Sequence, residues 1–434
     1  MTTGGGAGAT LYAMQPIVAV ILQALLHLVV LVVAGRLGVM IARAVGVPAI
    51  LGPVLVGVLI GVSVLGRWAP STHEFVAGPY VLKQGEAREL SEDRAEAREI
   101  LVATDVSVVA LDEFDAETES LRGDAEIPEV ELASSHALLL VLVIVPIVLA
   151  AGLTGPSWTF KTMWHALPLS MGTVLFPAFA AALVGWGLLA SGWSDAGSVY
   201  PAVWLGGLAL AASAVSMTPH PELPYGFEAR GPWLAQDEDR RVGFLAGLLV
   251  LAAAVVLGAY RLSEIAPVDD TPTELARALP LMLATAALPI GLVLASFGRL
   301  FRWVVWVSRG LMCPALVVLA ASRVDWVEGF DWLLVLFAVL IYSDAKAIGA
   351  ATASTMFESS DWSHAMRLGG TVIADAVFPI ALLLLLFHAG MIDAYTHTAV
   401  FIAAVIASVT APASLRTIGQ MKRMIERENN REDE

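Results

Sequence analysis

The segment IYSDAKAIGAA (Ile341–Ala351) sets two ionisable side chains, Asp344 and Lys346, inside a long run of apolar residues. A third, Asp375, lies in GGTVIADAVFP, after a glycine pair and before Pro379. An ionisable group at bilayer depth costs about 2.5–3.5 kcal/mol on insertion scales, so each of the three needs a partner or a route to water. On a regular helix Asp344 and Lys346 stand about 200° apart and do not pair. The expected pairing is Lys346 with Asp375 across two segments, the second having a composition that permits an interrupted helix with free carbonyls.

Lysine at this position is informative because the chain has four lysines against 21 arginines. A desolvated lysine can lose its proton within a physiological range, which a guanidinium cannot. A Lys–Asp pair can therefore trade a proton for a cation: the cation takes Asp375, and the freed Lys346 gives up its proton. A purely structural salt bridge between two segments fits the same residues. For Asp344 there is a further reading, as a group facing a cytoplasmic vestibule along the access path.

The elements that carry these residues follow from composition. Of 434 residues 57% are hydrophobic and 15% charged, with a mean hydropathy of +0.75, more apolar material than a soluble domain of this length buries. The expectation is an all-α polytopic membrane protein. Apolar stretches long enough to cross the hydrocarbon lie near 14–34 (running on to 45), 48–66, 133–152, 166–190, 200–217, 241–260, 278–298, 301–322, 330–355, 366–390 and 394–415, about 11 transmembrane helices. None alternates with the period of two that a barrel strand needs. The opening MTTGGGAGATLYAMQPIVAVILQ lacks a basic leader region and reads as the first span.

Four regions result: first transmembrane helices over 1–66, an acidic extracytoplasmic insert over 67–132, a transmembrane core over 133–415 and a short cytoplasmic tail over 416–434. Within the insert, residues 71–131 hold 17 acidic and 5 basic residues, so most of the formal −15 is local to it. It reads either as a small α+β module, with EILVATDVSVVALDEF supplying a strand or two, or as a disordered acidic loop. Such acidity suits high ionic strength. Lys and Arg concentrate in alternate loops, which puts the N-terminus and the insert outside and the C-terminus in the cytoplasm of a cell-membrane protein.

Several chemistries lack their residues. The single cysteine, Cys313, allows neither an internal disulfide nor a cysteine metal site. No phosphate loop, HExxH or GxSxG occurs, so no enzyme, cofactor, metal or nucleic-acid function is expected. His27 reads as a helix–helix hydrogen-bonder, His388 and Arg309 as groups near span ends, and Trp303, Trp306, Trp326 and Trp332 as interface anchors.

The order of motifs adds a resemblance. RLGVMIARAVGVPAILGPVLVGVLIG, VWLGGLALAASAVSMTP, SRGLMCPALVVLAASRVDW, YSDAKAIGAATAS and MRLGGTVIADAVFPIALLLLL follow one another as the corresponding segments do in the monovalent cation:proton antiporter superfamily, sodium/proton exchangers among them. The resemblance implies an inverted repeat with two broken helices crossing at the midplane, protons and Na⁺ or K⁺ as transported partners, the lipid bilayer as surroundings, and a homodimer. It sets Lys346 where that family carries an embedded lysine and implies Ser213, Ser216 and Thr218 as oxygen ligands for the cation, although small residues in spans also serve close packing. It departs at GFLAGLLVLAAA, where Leu248 and Leu249 stand near the family's ion-binding aspartates, and in a helix count about two short. A transport-inactive scaffold or sensor, acting through the acidic insert, is the alternative these departures support.

Overall fold

The computed structural model describes residues 6–61, 64–65, 67–69, 137–139, 141–143, 160–192, 201–214, 237–264, 306–324, 326, 330–358, 362–373 and 376–411, with scattered positions between 283 and 304. Among the described residues all regular structure is helical. The helices are α1 (Gly6–Val45), α2 (Leu51–Ile60), α3 (Phe160–Ala190), α4 (Pro201–Ser213), α5 (Asp237–Glu264), α6 (Cys313–Ser322), α7 (Trp332–Val339), α8 (Lys346–Glu358), α9 (Trp362–Ile373), α10 (Val377–His388) and α11 (Ala394–Ala411). The strands expected in the acidic insert, and most of the insert itself, lie outside the described residues.

Among the described residues, five apolar helical segments are long enough to cross a membrane: Ile21–Val45, Met163–Ala190, Arg241–Tyr260, Trp332–Phe357 and Ala394–Ala411. Four further apolar helices among the described residues are shorter, Leu51–Ile60, Pro201–Ser213, Gly310–Ser322 and Val377–His388. The stretch read as one span over 366–390 is two helices, α9 and α10, on either side of residues 374–376. Leu22, Leu25, Val29, Val33, Leu37 and Met40 form an exposed apolar stripe on α1, a surface suited to hydrocarbon rather than water.

Two compact units divide the chain: residues 1–30 with 58–138, and 31–57 with 139–434. α1 begins in the first and ends in the second. The second unit holds all the site residues considered below.

With apolar lipid around them, helices gain little from hydrophobic burial against each other and associate instead where small residues let backbones approach. In the second unit, Gly38 lies so close to α2 that an added Cβ would come within 2.6 Å of the Gly52 carbonyl carbon. Gly349 of α8 meets α3 in the same manner, its added Cβ falling 2.7 Å from the Gly172 carbonyl oxygen. Gly369 of α9 would strike the Ala347 carbonyl oxygen at 2.8 Å. α8 is thereby held between α3 and α9.

α7 and α8 are joined without a loop. Asp331 starts the segment as N-cap, its Oδ1 accepting from Leu333 N at 2.8 Å and Leu334 N at 3.2 Å. Between the two helices, Leu340–Ala345 forms a π-helical turn that ends at Lys346. Ser343 Oγ donates to the Val339 carbonyl, a local bond that competes with the regular ladder and favours such a distortion. π turns inside α-helices are rare and concentrate at functional sites.

Candidate functional site

α4 has 13 residues, about 20 Å of helix against the roughly 30 Å of a bilayer core. The last four carbonyls of any α-helix lack backbone partners within it, and lipid offers them none. Lys346 meets this need. Its Nζ donates to the carbonyl of Ala214, the residue after the helix end, and the side chain is completely buried. The partial negative charge at a helix C-terminus favours a cation there.

A second group supports the ammonium. Tyr342, four residues earlier and thus one turn away, places its ring centroid 3.0 Å from Lys346 Nζ, in the cation–π arrangement. Tyr342 is also buried. Ser213 is buried beside Ala214, with its Oγ donating to the Leu210 carbonyl at 3.1 Å. Among the described residues no carboxylate pairs with Lys346.

A separate buried network holds the opposite end of α4. The Gly390 turn (φ +62°) closes α10, with Gly390 N donating to Phe387 O at 3.0 Å and Met391 N to Leu386 O at 3.0 Å. Asp393 follows and precedes α11, its Oδ1 accepting from Thr396 N at 3.1 Å. Trp204 of α4 shares its Nε1–H between Asp393 Oδ1 at 3.3 Å and Thr396 Oγ1 at 3.1 Å. One turn further along α11, His397 is fully buried against the rings of Phe387 and Phe401, with centroid distances of 4.7 and 6.3 Å.

The structure thus brings Lys346 and Ser213 into one site. Asp344 is not part of it: its side chain is exposed, on another face of the segment from the buried Lys346, as about 200° between the two on a helix implies. Asp375, Ser216 and Thr218 lie outside the described residues, so the expected Lys346–Asp375 pairing does too. His388 ends α10 as expected of a span terminus, yet it is buried instead of reaching outward. Trp303, Trp306 and Trp332 are exposed, as interface anchors would be.

Sequence reasoning missed Tyr342, the Ala214 carbonyl and the Trp204–Asp393–Thr396 network. The spacing of four between Tyr342 and Lys346 was visible, as was an acidic residue three before a threonine at the start of an apolar run. A backbone carbonyl leaves no trace in residue type.

No protein-family model and no curated protein matches the chain.

Proposed function

We propose that this protein is a secondary transporter exchanging protons for a monovalent cation, Na⁺ or K⁺, across a cell membrane. The observation that carries the reading is a fully buried lysine whose ammonium is held by the carbonyl end of a short helix. Carbonyl dipoles at unwound helix ends are the oxygens that transporters offer to small cations. A cation arriving at the Ala214 carbonyl competes with the ammonium for that oxygen, and its positive charge drives the Lys346 proton off. When the proton returns, the ammonium reclaims the carbonyl and the cation leaves. One positive charge replaces another at each step, so the site never holds two.

Asp375 supplies the countercharge in this scheme, Ser213, Ser216 and Thr218 supply further oxygens, and Asp344 lies in the access path. The wider architecture is the antiporter-like one: about 11 spans, an inverted repeat whose broken helices are α4 and the α9–α10 pair, and a homodimer. The N-terminus and the acidic insert face outward and the C-terminus lies in the cytoplasm. The short lengths of α4 and α10 and the separation of α9 from α10 support that plan.

The test is proton flux in proteoliposomes, read with a pH-sensitive dye as Na⁺ and then K⁺ are added, for the parent protein, Asp375→Asn and Lys346→Met. Cation-dependent flux that both substitutions abolish supports the exchange. A folded parent protein that responds to neither ion overturns it, and leaves a membrane scaffold or sensor in which Lys346 only caps α4.

A further inference from the structure

We infer that Asp393 is a positioning residue for the Lys346 site, holding α4 in the axial register that presents the Ala214 carbonyl to the ammonium. The structural claim rests on the geometry of α4 alone, and its consequence for transport rests on the exchange reading above.

α4 meets two neighbours through its glycines and sets the side chains of Trp204, Leu205 and Leu208 against Gly185 of α3. Gly207 lies flush against the α10–α11 connection, where an added Cβ would come 2.5 Å from the Met391 carbonyl oxygen. Gly206 faces the Leu257 side chain of α5, where an added Cβ would come 2.9 Å from either methyl. This apolar packing brings the helix close, and to it a directional bond is added. The directional contact in the first turns is the Trp204 Nε1–H, aimed at Asp393 Oδ1 and Thr396 Oγ1.

That anchor is itself fixed. Asp393 caps α11 through Thr396 N, immediately after the Gly390 turn ends α10. Trp204, Asp393 and Thr396 are all buried, so water does not compete for these bonds. From Trp204 to Ala214 is ten residues, about 15 Å along a rigid helix. A slip of one turn, about 5.4 Å, would carry the Ala214 carbonyl out of reach of Lys346. Asp393 therefore acts at the site through Trp204 and the length of α4, without touching the ammonium.

The experiment uses the full chain in liposomes with Cys313→Ala, so that Ser213→Cys supplies the one thiol beside the carbonyl. The readout is its rate of alkylation by a small maleimide. Trp204→Phe and Asp393→Ala are expected to raise that rate about tenfold, the population shift that follows loss of a hydrogen bond to a charged group. Asp393→Asn retains the accepting oxygen and is expected to remain within about twofold of the parent. A reporter at Ala320→Cys on α6, placed in the same backgrounds, is expected not to change; general loosening would expose both thiols and overturn the inference. Parent-like rates at Ser213→Cys in Trp204→Phe and Asp393→Ala would overturn it, as would Asp393→Asn behaving like Asp393→Ala. Should Asp393→Ala fail to fold, Trp204→Phe leaves the α11 cap intact and decides the matter. If the parent shows no cation-dependent flux, the exchange reading fails while the thiol result stands by itself.

Discussion

Replacing Lys346 with methionine separates an ammonium that holds the fold together from one that carries a proton. Methionine keeps the length and most of the packing of lysine while removing the charge. Insertion of the charged side chain at membrane depth costs about 2.5–3.5 kcal/mol, and this cost disappears in the variant. Against it stand two losses. A hydrogen bond from a charged donor, here to the Ala214 carbonyl, contributes about 1.5–3 kcal/mol. The cation–π contact with Tyr342 contributes about 0.5–2 kcal/mol. Gains and losses nearly cancel, so Lys346→Met should shift the unfolding free energy by no more than about 2.5 kcal/mol in either direction. Cation-dependent proton flux should vanish nonetheless. Lys346→Arg should lose flux as well, because a guanidinium keeps a cation near the carbonyl but does not release its proton. Stability is measured by denaturant unfolding in detergent micelles and flux in proteoliposomes. A Lys346→Met protein destabilised by more than about 4 kcal/mol would refute the balance and make the ammonium a structural anchor. A stable variant with undiminished flux would refute its role as proton carrier.

Three further outcomes follow from the packing and the caps. Asp331→Ala removes the acceptor for Leu333 N and Leu334 N and should cost about 1 kcal/mol in the same unfolding assay, with Asp331→Asn recovering most of it. Gly172→Val drives a side chain into Ala353 at the α3–α8 contact and should destabilise by about 1–3 kcal/mol, seen as a lowered melting temperature. Asp344→Asn alters an exposed group and should leave stability within about 0.5 kcal/mol of the parent. With Asp344 in the access path, that variant should raise the cation concentration needed for half-maximal flux without abolishing flux.

The helical class was legible because no solvent but lipid accommodates so much apolar side chain, and long uninterrupted runs point to helices. The half-length of α4 was less legible, since apolar residues continue past Ser213 and hydropathy does not register where a backbone ladder stops. Lys346 stood out by type and position, but its partner did not: the Ala214 carbonyl belongs to a residue with no chemical side chain, 132 positions away. Tyr342 looked like one more large residue on a packed face until the π turn set it beneath the ammonium. Asp393 fell just outside the span drawn from 394, where an acidic residue reads as ordinary loop, and only the approach of α4 makes it a buried acceptor. Asp344 was more legible in this respect: about 200° around a helix from the buried Lys346, it lies on the exposed side.

The shortness of α4 has an electrical consequence. With Pro201 at one membrane surface, a rod of about 20 Å ends roughly two-thirds of the way through a core of about 30 Å. Under the proposed exchange, a cation reaching the Ala214 carbonyl from the Pro201 side crosses a corresponding share of the transmembrane voltage, and the proton it displaces leaves to that same side across the same share. At about 2.3 kcal/mol per elementary charge per 100 mV for the full thickness, each of these movements taken alone is worth about 1.5 kcal/mol for every 100 mV, and the two have opposite sign. A one-for-one exchange at this depth would thus be electrically silent at the binding step as well as over the complete cycle, and binding that follows the applied voltage would mean that more than one charge moves.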